Sequence, residues 1–239
     1  MAVTADAVGN DARAHELLRA AHDAAYRLPP GFGGFAARIV YEYDGGRAEG
    51  TVRVAGPRAI EPEIDVDDEA RGWLTREIAS MAGHRWHLPY EDADGKHMLD
   101  LRPEDDSLLG QFIVVANDRL DSSYRVQSAE ISQVNRTMGQ MRFSIQIQER
   151  LAAPDGRTLP SHFTVFYWST ADGRLTRTDV YRDEYVAVDE VYLPFARRII
   201  TADDAGISAR CLTFTGHRLL EAGDAGDQEH LEHGVSRPG

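Results

Sequence analysis

From His84 to Leu220 the chain is cut by turn-forming residues into ten short segments of alternating polarity, and this pattern restricts the fold more than any other feature. The segments fall near 84–91, 96–102, 110–117, 123–130, 131–136, 141–151, 161–170, 174–183, 187–201 and 206–220. Asp94-Gly95, Arg102-Pro103, Pro154-Asp155-Gly156, Asp172-Gly173 and Asp203-Asp204-Ala205-Gly206 supply turns between them. Strands at this spacing build an antiparallel meander, and a sheet of that many strands curls because its twist accumulates.

Upstream, residues 35–56 read as a β-hairpin whose return strand starts at Thr51 and Val52. Ala37, Ile39, Tyr41 and Tyr43 share one face, and Asp44-Gly45-Gly46 makes the turn. Two segments have helical spacing instead. Leu17, Leu18, Ala21, Ala24, Ala25 and Leu28 mark a helix over about 11–27, stopped by Pro29-Pro30; Ala70, Trp73, Leu74, Ile78 and Met81 mark another over about 67–82. Their apolar faces would cover the concave side of the curled sheet. The expected fold is therefore mainly β (α+β), an unclosed barrel over residues 11–220 with two helices on its concave face. Residues 1–10 and 221–239 read as disordered tails, the latter acidic.

Composition removes several classes of function. The net charge of −13 opposes sequence-independent nucleic-acid binding, because phosphate neutralisation needs a basic face. Cys211 is the only cysteine, so an internal disulfide and a cysteine-rich zinc site are excluded. No window approaches 18 apolar residues and the start shows no secretory pattern, so the expectation is a cytoplasmic protein that spans no membrane. Lys96 is the only lysine, and most of the arginines that replace lysine read as ordinary surface cations.

The segments AHDAAYRLPPGFGGFAA, ASMAGHRWHLPYEDADGKHML, YRVQSAEISQVNRTMGQMRFSIQIQER and FTVFYWSTADGRLTRTDVYRDEY resemble those of a widespread bacterial domain family of unknown function, over about residues 17–220. The most specific stretch is Gln133-Val134-Asn135-Arg136-Thr137-Met138-Gly139, with Glu149 ten residues past that glycine; His84-Arg85 is next. As a fold the pattern is similar to the half-barrels of the lipoprotein-carrier type, and that resemblance implies an apolar ligand cavity. The missing export pattern departs from those carriers.

Three constellations could carry chemistry. His84-Arg85-Trp86-His87, read as a strand, points His84 and His87 to opposite faces; with no HExxH or H-x-H spacing, no metal site is assigned. On 141–151 the alternation places Phe143, Ile145, Ile147 and Glu149 on one face. A carboxylate on an apolar face is either paired, with Arg136 as a partner, or has the raised pKa of a general acid or base. On 161–170, Phe166 and Trp168 could line a pocket for a planar ligand or simply fill the core. No GxSxG, GxxxxGK[ST] or GxGxxG motif is present, and Cys211 lies too far from His217 along one strand to form a nucleophile pair.

Two functions follow as expectations. One is binding of an apolar or amphipathic small molecule on a floor of Trp73, Phe143, Phe166 and Trp168, between helix 67–82 and the sheet. The other is an enzyme using the same cavity, with His84 and Glu149 as acid–base groups at its mouth and Arg136 as an orienting or anion-binding group. The cofactor and the oligomeric state stay unassigned. Leu17, Trp73, Leu74, Ile78, Phe143, Ile145, Phe166 and Trp168 are expected in one apolar cluster.

Overall fold

A computed structural model describes residues 10–221, which form one antiparallel sheet of 12 strands and two α-helices. The tails read at 1–10 and 221–239 lie outside the described residues apart from Asn10 and Glu221. In chain order the elements are α1 (Ala12–Ala24), β1 (Phe35–Tyr43), β2 (Gly46–Val54), β3 (Ile60–Ile64), α2 (Asp68–Ala82), β4 (Met98–Leu101), β5 (Gln111–Ala116) and β6 (Ser123–Gln127). They continue with β7 (Glu130–Met138), β8 (Met141–Ala152), β9 (Thr158–Ser169), β10 (Leu175–Val188), β11 (Val191–Asp203) and β12 (Gly206–Leu219). Strand residues outnumber helical ones several-fold, as the alternation implies.

Strands β4 to β12 follow the chain as a meander, and β1 then pairs with β12, giving the order β3-β2-β1-β12-β11-β10-β9-β8-β7-β6-β5-β4. The two edges, β3 and β4, are not paired with each other, so the barrel is unclosed. They are also consecutive strands in sequence. The chain between them must therefore cross from one edge of the sheet to the other, and α2 lies in that crossing.

Local chemistry explains the helix ends. Asp11 caps α1 by accepting from the Arg13 and Ala14 amides at 2.7 and 3.1 Å, and Asp67 caps α2 by accepting from the Ala70 amide at 2.7 Å. Helix α1 is shorter than its periodicity suggests, because Ala25 turns extended and the Tyr26 amide donates to the Thr158 carbonyl at 2.8 Å. Leu28, ahead of Pro29-Pro30, is in any case biased away from helix. The return into β1 requires Gly34, whose φ is +108° and whose Cβ would lie 2.1 Å from the Val54 carbonyl oxygen.

Two elements differ from the sequence pattern. Residues 84–91 are not a strand: α2 tightens into a 3-10 turn at Gly83–Arg85, with Gly83 still at helical φ −62° and ψ −40°, and turns follow. Strand β3 is disguised in the sequence by Pro62, which opposes Val52; proline is tolerated there because β3 is an edge strand.

The apolar interior divides in two. The larger cluster joins α2 (Trp73, Leu74, Ile78, Met81) to β1–β3 and β9–β12 through Phe35, Ile39, Val54, Val165, Leu193 and Phe214. The smaller packs Ala14, Leu18 and Ala21 of α1 on Leu99, Ile113, Tyr124 and Val126. The expected single cluster is thus corrected in two respects. Leu17 belongs to the smaller group, and Phe166 and Trp168 belong to neither. Phe143 opposes Tyr167 while Ser144 opposes Phe166, so Phe166 and Trp168 face away from the side that carries Phe143, Ile145, Phe163, Val165 and Tyr167. Both faces of β9 are aromatic, so polarity alone could not set its phase.

Candidate functional site

The site lies at the seam between the two clusters, where the C-terminal end of α1, the Gly83–Arg85 turn and the concave face of β7–β9 leave space unfilled. Two adjoining cavities occupy it, of about 340 and 250 Å³, both bordered by Ala25, Arg27, His84, Val134, Ile145 and Ile147. Ala21 and Ala24 add small side chains from α1, and Phe163 adds an aromatic ring from β9. The smallness of the α1 residues is what keeps the helix from filling the seam.

Alternation on β7 explains the run singled out in the sequence. Val134 opposes Ile145 and Arg136 opposes Phe143, which sends both into the concave side, whereas Asn135 points the other way and meets the Ser144 hydroxyl at 2.5 Å. At the hairpin that follows, Gly139 takes a positive φ of 59°. Arg136 reaches the Tyr124 hydroxyl at 3.5 Å, and that hydroxyl donates to Asp94 Oδ1 at 2.9 Å. Burial, reinforced by the Asp94 carboxylate, pushes the Tyr124 phenol up to about 12.

The opposite wall is tied together by backbone and arginine contacts. Arg27 donates to the His84 carbonyl at 2.8 Å, and the Leu28 amide to the Arg85 carbonyl at 2.7 Å. Arg85 donates to the Met81 carbonyl and the Tyr185 hydroxyl, and its guanidinium lies 4.5 Å from the Tyr185 ring centre. Below them Arg197, 2% exposed, forks onto Asp183 at 2.8 and 2.6 Å and reaches Glu77 Oε2 at 2.9 Å. Because Glu77 is on α2, this triad fastens the helix to β10 and β11 and so positions the turn that carries His84.

His84 sits at the mouth. Its side is open to solvent, yet the crowding of protein around the ring, together with the charges of Arg136, Arg85, Arg197 and Arg27, lowers its pKa to about 4. At neutral pH it is an uncharged imidazole among cations, a hydrogen-bonding group rather than a charge.

The predicted site residues separate into those the fold brings together and those it does not. His84 and Arg136 meet at the cavity mouth. Phe143 is half-buried beside Arg136 in the register, 6.1 Å from the Tyr167 ring. Trp73 packs under Arg210 and against Tyr41, on the β1 and β12 side of the sheet. Phe166 and Trp168 lie on the outer face, where Arg142 covers Trp168 at 5.0 Å, so the four aromatic residues form no common floor. Glu149 is displaced by register shifts on either side of it, to the exterior; its side chain is 68% exposed and 3.8 Å from His162, not paired with Arg136. A period-2 count cannot foresee a bulge. His84, His87 and His97 border one outer cleft, but no group of three or more ligating side chains among the described residues could hold a metal ion. Among the described residues no helix is long and apolar enough to cross a membrane.

The sequence reading missed Arg27, Ala25, Val134 and Ile147. Ile147 was detectable, because it shares the alternation phase of Phe143 and Ile145 on one strand, whereas Val134 joins that face only through its pairing with Ile145 and Arg27 gave no signal beyond its place before Pro29-Pro30.

Among solved structures the chain is similar to a putative outer membrane lipoprotein-sorting protein domain from Vibrio parahaemolyticus, at 11% identity over 90% of this chain and 96% of that one, with a TM-score of 0.34. It is also similar to a DUF1329 family protein from Desulfovibrio piger, at 9% identity over 88% and 93%, with a TM-score of 0.27. A third similar structure is MucB of Pseudomonas aeruginosa in complex with MucA, at 11% identity over 87% and 99%, with a TM-score of 0.21. No curated protein matches the chain. A family model does match, over residues 9–220, and the chain belongs to that family, described as a protein of unknown function, DUF3386, in keeping with the segments that first suggested such a domain.

Proposed function

We propose that this protein binds an apolar or amphipathic small molecule in the seam between α1, the Gly83–Arg85 turn and β7–β9. The observation that carries the reading is the pair of adjoining cavities whose apolar lining includes Ala25, Val134, Ile145, Ile147 and Phe163, with Arg27, His84 and Arg136 among the polar groups that border them. The larger, at about 340 Å³, falls in the range of small-molecule sites, which combine an apolar wall with placed polar groups. The acid–base alternative, with His84 and Glu149 at the cavity's mouth, has less support, because the Glu149 side chain is 68% exposed and lies 3.8 Å from His162.

The test is native mass spectrometry of freshly purified protein, joined to a thermal-shift screen with hydrophobic dyes. The expected result is a bound small molecule, or stabilisation by an apolar probe that disappears when Ile147→Trp fills the seam. Absence of binding in the wild type, or binding that survives in a folded Ile147→Trp variant, would overturn the assignment.

A further inference from the structure

Among the described residues, three buried side-chain polar atoms have no hydrogen-bond partner: the Nε atoms of Arg27, Arg85 and Arg136. All three arginines border the same pair of cavities. A buried donor without an acceptor is costly, and such atoms are rare in native proteins. Their gathering at one place points to a common cause.

The charges around the seam are also unbalanced. Of the five arginines lining it, Arg150 pairs with Glu130 at 3.2 Å and Arg197 pairs with Asp183 at 2.6 Å. Arg27, Arg85 and Arg136 make no ion pair among the described residues, and Asp94, already accepting from Tyr124, is the remaining carboxylate of the lining. A chain with net charge −13 thus sets three arginines without an ion pair against the single carboxylate of Asp94 around one cavity. The lowered pKa of His84, to which four arginines contribute, registers the same field.

We propose that the occupant is a single-chain anionic amphiphile, its tail along Val134, Ile145, Ile147 and Phe163 and its carboxylate or phosphate head at Arg27 and Arg136, with neutral His84 beside it. This deepens the binding function proposed above and rests on it. Guanidinium donors suit either oxyanion because both offer paired acceptor oxygens.

The experiment measures calorimetric binding, below micelle concentrations, of decanoate, decyl phosphate, decanol and decyltrimethylammonium, with acetate and inorganic phosphate as head-only controls. Decanoate and decyl phosphate should bind at least about tenfold more tightly than decanol, and the cationic chain more weakly still. Arg136→Gln and Arg27→Gln should each remove about a factor of ten from the anionic probes while leaving decanol unchanged; Arg136→Lys, keeping the charge, should retain most of the preference. Circular dichroism of each variant separates loss of the head site from loss of the fold. Equal affinity for decanol and decanoate would overturn the anionic head while sparing the apolar site. Saturation by inorganic phosphate alone at the concentrations used would overturn the amphiphile in favour of a simple anion site. Failure of every chain-bearing probe to bind would overturn both readings.

Discussion

Replacing Arg197 by Met should be among the most damaging single changes in this protein, because it strands charges that have no water to fall back on. The guanidinium is 2% exposed and makes two bonds to Asp183, of 2.8 and 2.6 Å, and two to Glu77, of 2.9 Å to the carboxylate and 3.3 Å to the backbone carbonyl. It also lies 5.0 Å from the Tyr181 ring centre and 5.7 Å from that of Phe163. Methionine preserves much of the volume but none of the charge. Removing one partner of a buried pair costs roughly 3–5 kcal/mol, mostly as the penalty of leaving the other charge uncompensated. With a urea m-value of roughly 2–3 kcal/mol/M, the midpoint should fall by about 1–2.5 M. Urea titration followed by tryptophan fluorescence measures it, and Arg197→Met combined with Asp183→Asn supplies the control. If the stranded carboxylate is the cause, the double variant should recover part of the loss despite carrying one more substitution. A single-variant loss below about 1 kcal/mol, or a double variant with the full sum of two losses, would refute the reasoning. The functional corollary is that Arg197→Met should also weaken ligand binding, since α2 and the turn carrying His84 are anchored through Glu77.

Other expectations follow from burial and charge at named positions. His84 titrates near 4 in the folded protein against an ordinary 6.5, so the native state holds fewer protons between those values; stability relative to His84→Gln should be full above about pH 6.5 and should decline as the pH falls toward 4, as urea midpoints at pH 7.5 and 5 would show. Arg27, Arg85, Arg136 and Arg197 face the ring from four segments, with Asp94 the carboxylate bordering the same cavity, and a rise in relative stability on acidification would contradict this assignment. Phe35→Ala, emptying a fully buried site, should cost about 3–5 kcal/mol, and Trp168→Ala on the outer face less than half as much, with equal costs in denaturant titration counting against the assignment of β9 faces. Glu149→Gln should change stability by no more than about 0.5 kcal/mol and leave ligand affinity unaltered in calorimetry, because its contact with His162 is solvent-exposed.

The periodicity of the chain alone determined its class. Alternation of period 2, interrupted by Asp-Gly and Pro-Asp-Gly turns, can be satisfied only by hairpins, and the helical spacing of Leu74, Ile78 and Met81 fits one buried helix face, so the meander and α2 were legible before any coordinates. What only tertiary structure decided is where that periodicity breaks or is ambiguous. The register shifts beside Glu149 moved a carboxylate from the inner face to the outside, and the doubly aromatic β9 took the phase that puts Phe163 inside and Trp168 outside. Pro62 hid an edge strand, and the α2 C-terminus tightened into a turn where alternation suggested a strand. The cavity itself depends on the gap between two separately packed clusters, α1 against β4–β6 and α2 against β1–β3 and β9–β12. A gap is a property of how far apart two surfaces settle, which no residue pattern encodes. For the same reason the three arginines that border it, at positions 27, 85 and 136, become neighbours only when the chain from β3 to β4 crosses the open side of the sheet.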